Sequence, residues 1–482
     1  MTYKHGIYTS EIPTSIVPAA NSTAGLPIIF GTAPVHLASD RAEANKPILC
    51  YTYAEAVAAL GYSEDWEKYT LCEAMRSQYS LYAVAPTVFV NVLDTKKHKV
   101  TVSDNEVEFS NEKIAILTDP VLLETLKVKK ASAGQPLTEG VDYEAAFDSE
   151  GNLIITVLAD GQLAASASAF LDFDKIDPSL VDKDDIIGGI DISTGAYTGL
   201  ENLSKVFPLY RLVPGMVLAP GWTHDPEVAA VMTAKASTIN GLFKASVLVD
   251  VPTDMVKKYT DVPAWKNNNN YVGVDQIVCW PMVQLGDRKY HMSTAAMGVM
   301  GVLDAKNDDI PYESPSNKNI QANGLCLADG TEVVLDLEQA NYLNGQGVVT
   351  ALNFIGGWKL WGNRTGCYPA NTDVKDNFIC LRRMFNWHAQ TFILTYWAKV
   401  DDPMKRRLID LVVDSENIRL NGFVSRGFLL GGRVEYRKEE NPVTDQMDGI
   451  VRFHTYFTPP VPARVIENTI EFDTSYFETL FG

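Results

Sequence analysis

Asn344-Gly345-Gln346-Gly347-Val348-Val349-Thr350-Ala351-Leu352-Asn353-Phe354-Ile355-Gly356-Gly357-Trp358-Lys359-Leu360-Trp361-Gly362-Asn363-Arg364-Thr365 sets five glycines around two tryptophans and an arginine. Glycine at this density lets a backbone bend and pack closely, and tryptophan supplies the apolar area to pack against; a solvated linker needs neither. The stretch reads as a folded joint, and the chain on either side of it differs in kind.

Upstream the pattern alternates strand and helix. Residues 26–32 form a buried strand, Thr52-x-x-Glu55 and Gly61 bracket a short helix by capping box and C-terminal glycine, residues 65–82 form a second helix, and the β-branched run 87–93 a second strand. The α/β pattern returns with Asp225 as N-cap, Pro226 at the first helical position, a buried strand at 246–251, a strand over 271–282 and a helix over 293–303. Between these halves, short runs at 99–102, 107–109, 114–117 and 153–157 are split by turn signals such as Ser149-Glu150-Gly151-Asn152, which predicts a small β-rich domain inserted over 96–195. Its exit is acidic (Asp172, Asp174, Asp177, Asp182, Asp184, Asp185), with no EF-hand spacing, so a solvated surface is expected there and a calcium loop is not. Downstream, helices over 382–399 and 403–420 precede strands at 434–436 and 449–458. The fold class is therefore mixed α/β and multidomain: an N-terminal arm 1–22, an α/β core from 23–95 and 196–365, the insertion 96–195, and a C-terminal domain 366–482 whose last part, 459–482, is an arm.

Both ends carry alternating, proline-flanked segments. Ile7, Tyr8 and Ile12 lie near Pro13 and Pro18, and Ile466, Ile470 and Phe472 follow the stiff Pro459-Pro460-Val461-Pro462. Such strands have little of their own chain to pack against.

Composition narrows the function. The 482 residues are 46% hydrophobic, which is globular, and the formal charge of −19 opposes a nucleic acid or anionic membrane partner. Six scattered cysteines without a C-x-x-C pair suggest reduced, buried thiols, and the absence of an apolar leader or a bilayer-length run suggests cytoplasmic synthesis. The seven histidines show no metal-ligand spacing; there is no Gly-x-Ser-x-Gly elbow and no Walker loop. Gly427-Phe428-Leu429-Leu430-Gly431-Gly432 imitates a nucleotide turn but lies between helix and strand in the wrong order. No catalytic, metal or cofactor residues are expected, and the chain does not read as an enzyme.

Residues 352–365 resemble the "hydrophobic, Gly, Trp-Gly-x-Arg-Thr" signature of the sheath proteins of contractile phage tails and related injection machines, phage-tail-like bacteriocins among them; Trp358, Trp361, Gly362, Arg364 and Thr365 match it. Gly6-Ile7-Tyr8, Leu26-Pro27-Ile28-Ile29-Phe30-Gly31-Thr32-Ala33, Leu218-Ala219-Pro220-Gly221, Val247-Leu248-Val249-Asp250-Val251-Pro252, Ile379-Cys380-Leu381-Arg382-Arg383-Met384 and residues 449–460 resemble other segments of that family in the same order. The resemblance implies a structural subunit that stacks as hexameric rings around a tail tube and contracts to drive the tube through a cell envelope. Contraction would draw on a difference between two packings of the same subunits and needs no nucleotide. The implied partners are the chain itself, the tail tube protein, and baseplate and tail terminator proteins, with no cofactor. The implied location is a bacterial host cytoplasm and then the virion or extracellular particle. The terminal arms would add strands to neighbouring subunits.

One cluster has its own physical signal. Asp402-Pro403 predicts a helix start, so Lys405, Arg406 and Arg407 would occupy the positive end of the macrodipole, where each costs up to about 0.5 kcal/mol. Local stability does not explain them and an acidic partner would. The family resemblance implies that a C-terminal helix faces the tube, making these three the candidates for tube attachment; a solvated face or a fold-internal pair with the flanking acids is the other reading of them. The alternatives are a virion shell protein and a cytoplasmic α/β hydrolase or transferase; the latter requires a pocket with a titratable constellation.

Overall fold

The computed structural model describes residues 23–111 and 113–478. Its centre is a nine-stranded sheet in the order 318–319, 357–361, 348–354, 276–279, 246–250, 216–218, 27–31, 87–91, 48–50. The inner strands Val348–Phe354, Gln276–Cys279, Ser246–Asp250, Met216–Leu218, Pro27–Gly31 and Thr87–Asn91 are parallel neighbours, and the outer strands are antiparallel. Parallel strands are covered on both faces, which is why Ile28-Ile29-Phe30, Val88-Phe89-Val90 and Val247-Leu248-Val249 are continuous apolar runs, all fully buried. The helix Met292–Lys306 is apolar nearly all round because it lies inside this core. Gly298 permits its close approach: a Cβ there would meet the Tyr82 ring at 2.2 Å.

Several boundaries differ from the sequence reading. The helix expected over 65–82 begins at Thr70 and becomes π-helical over Arg76–Leu81. The strand expected over 271–282 is two strands, because Pro281 cannot donate to a ladder; Gln276–Cys279 stays in the main sheet and Met282–Leu285 leaves for a three-stranded one. At Thr52 the side chain accepts from Glu55 N–H, whereas the Glu55 carboxylate reaches back past the cap to Tyr51 N–H, one residue beyond the N–H a true box would use.

Strands between Lys99 and Ile176 form two three-stranded antiparallel sheets. They enclose a separate apolar cluster that includes Leu153, Ile155, Leu171, Phe173 and Val128. The acidic stretch is put to use here by lysines: Asp172 pairs with Lys129 at 2.8 Å and Asp174 with Lys99 at 2.5 Å. The two chain crossings run side by side. His98 Nδ1 accepts from Asp94 N–H (2.9 Å), leaving Nε2–H to donate to Asp185 (3.1 Å), and Lys97 reaches the same carboxylate. Val181 and Ile186 pack into the main core, so the chain after Asp177 has already returned to it, ahead of the residue 195 suggested by composition.

The C-terminal part docks through the helix Ile379–Tyr396. Its Met384 and Trp387 join Leu420, Phe423, Leu429 and Val434 in a third cluster that also takes in Ala24 and Ile310. At the contact, Arg383 (5% exposed) forms a bidentate pair with Asp304 (1% exposed), Nη1 to Oδ1 being 3.1 Å, and Arg383 Nη2 also donates to the Ala24 carbonyl at 3.0 Å. Arg383→Met strands a buried carboxylate and costs about 3–5 kcal/mol in thermal or denaturant unfolding, whereas the double variant with Asp304→Leu recovers most of that loss.

Candidate functional site

The signature segment is a hairpin and a corner. Val348–Phe354 pairs with Gly357–Trp361 through a two-residue turn, in which Gly356 takes φ +79°. Gly362 then turns the chain, and the residues from it onward bond to several other parts of the fold. Gly362 N–H donates to Ser316 Oγ, Asn363 N–H to Asn344 Oδ1, and Gly366 N–H to the Gln276 carbonyl. Thr365 Oγ donates to the Asp376 carbonyl at 2.7 Å. Trp361 Nε1–H donates to Asn341 at 2.9 Å, Trp358 packs on the main core, and Arg364 lies between the Phe378 and Tyr368 rings at 3.8 and 4.4 Å while bonding Asn377. The segment thus fastens the sheet, the helix Leu337–Asn344 and the start of Ile379–Tyr396 to one another.

The basic turn begins three residues later than Asp402-Pro403 indicates. The helix runs Arg406–Ser425 with Lys405 as a cap that has no side-chain bond, because Asp401 adopts φ +68° and closes a turn ahead of it. Lys405, Arg406 and Arg407 are all exposed. Arg406 pairs with Asp410 at 2.8 Å, and among the described residues Lys405 and Arg407 have no ion pair.

Ile7, Tyr8 and Ile12 lie outside the described residues. Ile466, Ile470 and Phe472 were expected in a strand, but among the described residues they have no ladder partner, and they are 88%, 87% and 75% exposed. Nearby, Gly431–Glu435 and His454–Thr458 form a two-stranded sheet against the helix Arg406–Ser425.

The structure also assembles a cleft of about 710 Å³ at the carboxyl ends of the parallel strands, lined by Glu73, Trp222, His224, Asp250, Arg288 and His291 among others. Sequence reasoning missed it because its members come from positions as much as 218 residues apart, with no local motif. Its chemistry is that of a helix cap. The first N–H groups of Met292–Lys306 would be orphaned, since His291 gives no side-chain cap. Glu73 accepts from His291 N–H (2.7 Å) and Asp250 accepts from Ser293 N–H (3.0 Å), each carboxylate lying at the positive end of the dipole. Ser293 Oγ donates to Asp250 and not to an imidazole, so the Ser–His pairing of a hydrolase nucleophile is not formed here. Among the described residues no group of three or more His, Cys, Asp or Glu could hold a metal, and all six cysteines are buried and unpaired. No described helix is long and apolar enough to cross a membrane.

Burial raises the Asp250 carboxyl. For His291 burial opposes the charge, but Glu73, by its charge and its bond to Nδ1, outweighs it and lifts the imidazole to about 9. A raised folded-state pKa stabilises fully below the unfolded value of about 6.5 and loses that contribution as pH rises through about 9. Thermal melts of the parent and His291→Asn should therefore differ by a constant amount below pH about 6 and converge as pH climbs past about 9.

No family model matches the chain. It is 26% identical to the tail sheath protein of Burkholderia phage BcepMu across 100% of this chain and 99% of that one. It is 31% identical to the major tail sheath protein of Serratia phage KSP20 over 39% of this chain and 46% of that one. Among solved structures it superposes on the sheath complex of the extracellular contractile injection system PVC, in its contracted state, with a TM-score of 0.58 at 13% identity and 99% coverage of both. It superposes on the contracted helical sheath of the anti-feeding prophage with 0.55 at 14% identity, covering 98% and 100%. The fold is that of contractile sheaths, a mixed α/β class of assembly proteins and not of enzymes. Together with the full-length sequence relationship to a phage tail sheath protein, it supports a structural role in a contractile tail sheath.

Proposed function

We propose that this chain polymerises as stacked hexameric rings around a tail tube and contracts to drive the tube through a target envelope. The observation that carries the reading is the segment after Thr458, which leaves Ile466, Ile470, Phe472 and Tyr476 in water. A monomer gains nothing from such a row of large apolar side chains, whereas a subunit that hands it to a neighbour buries it. The two-stranded sheet Gly431–Glu435/His454–Thr458 supports the same reading, since a sheet that narrow has edges open to an added strand. Head-to-tail contacts of this kind generate filaments. The assemblies in which the similar solved structures occur, a contracted sheath and a baseplate, support self-assembly and a baseplate partner here.

The proposed partition is an N-terminal arm 1–22, a core, an outward inserted domain entered near 96, and a C-terminal sheath domain with its arm from 459. Lys405, Arg406 and Arg407 attach to an acidic tube surface; a terminator protein closes the far end. The subunit is made in a bacterial cytoplasm and works in the released particle.

Two measurements test this. Deleting residues 2–20 or 461–481 should leave a folded subunit that no longer forms filaments in sedimentation or negative-stain microscopy; normal filaments from a deleted chain would refute arm exchange. Replacing Lys405, Arg406 and Arg407 by glutamate should leave the melting temperature unchanged or slightly higher, because like charge leaves the dipole's positive end, and should weaken co-assembly with tubes most at low salt.

A further inference from the structure

The basic turn does not stand alone on the surface. Immediately before it, Trp397 is 60% exposed, Val400 62% and Met404 38%, on a short 3-10 turn and loop that end where the helix Arg406–Ser425 begins. Trp397 and Val400 lie three residues apart across that 3-10 turn, with Val400 N–H donating to the Trp397 carbonyl, so their side chains share a face. The charges next to them in sequence are Lys399, paired with Asp402 at 3.2 Å; Asp401; Arg406, paired with Asp410; and Lys405 and Arg407, which have no ion pair among the described residues. An exposed tryptophan beside free arginine and lysine has the composition of a binding hot spot, in which an aromatic anchor enters a desolvated pocket and charges at its rim set rate and register. Among the described residues this tryptophan belongs to none of the apolar clusters, although the helix just before it supplies Trp387 to one.

We propose that Trp397, Val400 and Met404 form an apolar anchor that seats in the acidic tube surface together with Lys405 and Arg407, so that attachment has a salt-insensitive component beside its electrostatic one. The proposal rests on the reading of the basic turn as the tube contact. Charge complementarity argues for the occupant: two unpaired cations on a chain of net charge −19 fit an acidic protein surface. A second copy of this acidic chain is the competing occupant, and the test separates it.

The experiment is co-sedimentation of the full chain with purified tail tubes of the same particle from about 0.01 to about 1 M salt, with filament formation without tubes followed in parallel. The parent should bind less as salt rises and then level off at a residual affinity. Trp397→Ala should lower that high-salt plateau roughly tenfold or more while keeping the salt slope, and melt at the parental temperature because the ring is exposed. Lys405→Glu/Arg407→Glu should remove the slope and keep the plateau. If the parent has no plateau, or Trp397→Ala matches it at every salt, the anchor is wrong while the charge contact stands. Should the charge-reversed chain bind tubes with the parental slope, the attachment reading itself fails. Loss of tube-free filaments in Trp397→Ala with tube binding intact would assign the patch to a neighbouring copy and overturn the proposal.

Discussion

A desolvated ion pair, Arg383 with Asp304, holds the C-terminal helices against the α/β core. Removing two charges from water is costly, and the pair recovers that cost only in its bidentate geometry, with the Ala24 carbonyl taking a further donor hydrogen. A sliding contact cannot satisfy such terms. The surrounding polar bonds follow the same geometry: Asn386 reaches Asp275 at 2.7 Å and Gln390 reaches the Lys244 carbonyl. Once the helix Ile379–Tyr396 is registered, Trp387 meets Phe423 and the remaining C-terminal elements pack onto a fixed surface.

The signature hairpin performs a related task by other means. It fastens its neighbours with backbone donors and small polar side chains, so the sequence there is constrained by close approach more than by apolar volume. Glu73 and Asp250 complete the helix Met292–Lys306 from outside it, which makes an interior carboxylate pair a folding device. The cleft they line is what remains where strands and helices meet, and both carboxylates are already bonded, Glu73 to His291 and Asp250 to Ser293.

Much of this was legible in the sequence. The continuous β-branched runs read as buried strands of an α/β core, and the short runs at 99–102, 114–117 and 153–157 read as a separate β-rich part, whereas the strand Ser168–Ile176 was hidden by its acidic residues. The capping residues at Thr52 and Asp225 were readable because their partners lie within three positions. Arg383 left a trace: it falls four residues after Ile379 and four before Trp387, on the buried stripe, where an unpaired charge is not tolerated. Its partner Asp304 left none, and neither did the link between Glu73 and His291, since pairing across long separations is written in topology and not in spacing. The onset of Arg406–Ser425 escaped because Asp402-Pro403 is a good start signal that Asp401, in a left-handed conformation, overrides. The expected C-terminal strand has no ladder partner among the described residues, and spacing alone could not supply one: a strand is a relation between two segments, and the proposed second segment is a neighbour's.

Pro459, Pro460 and Pro462 lie between the last sheet strand and the exposed apolar residues. Prolines at this density keep a chain extended, at about 3.1 Å per residue, so residues 459–472 reach roughly 40 Å. A tether of that stiffness makes it hard for Ile466, Ile470 and Phe472 to fold back on their own body, and it confines them to a shell of nearby space. For any binding edge within that shell the effective concentration is on the order of millimolar, independent of how dilute the free chains are. Contacts made through such a tether form one after another as intramolecular events, so an array linked this way resists dilution far better than any of its single contacts would.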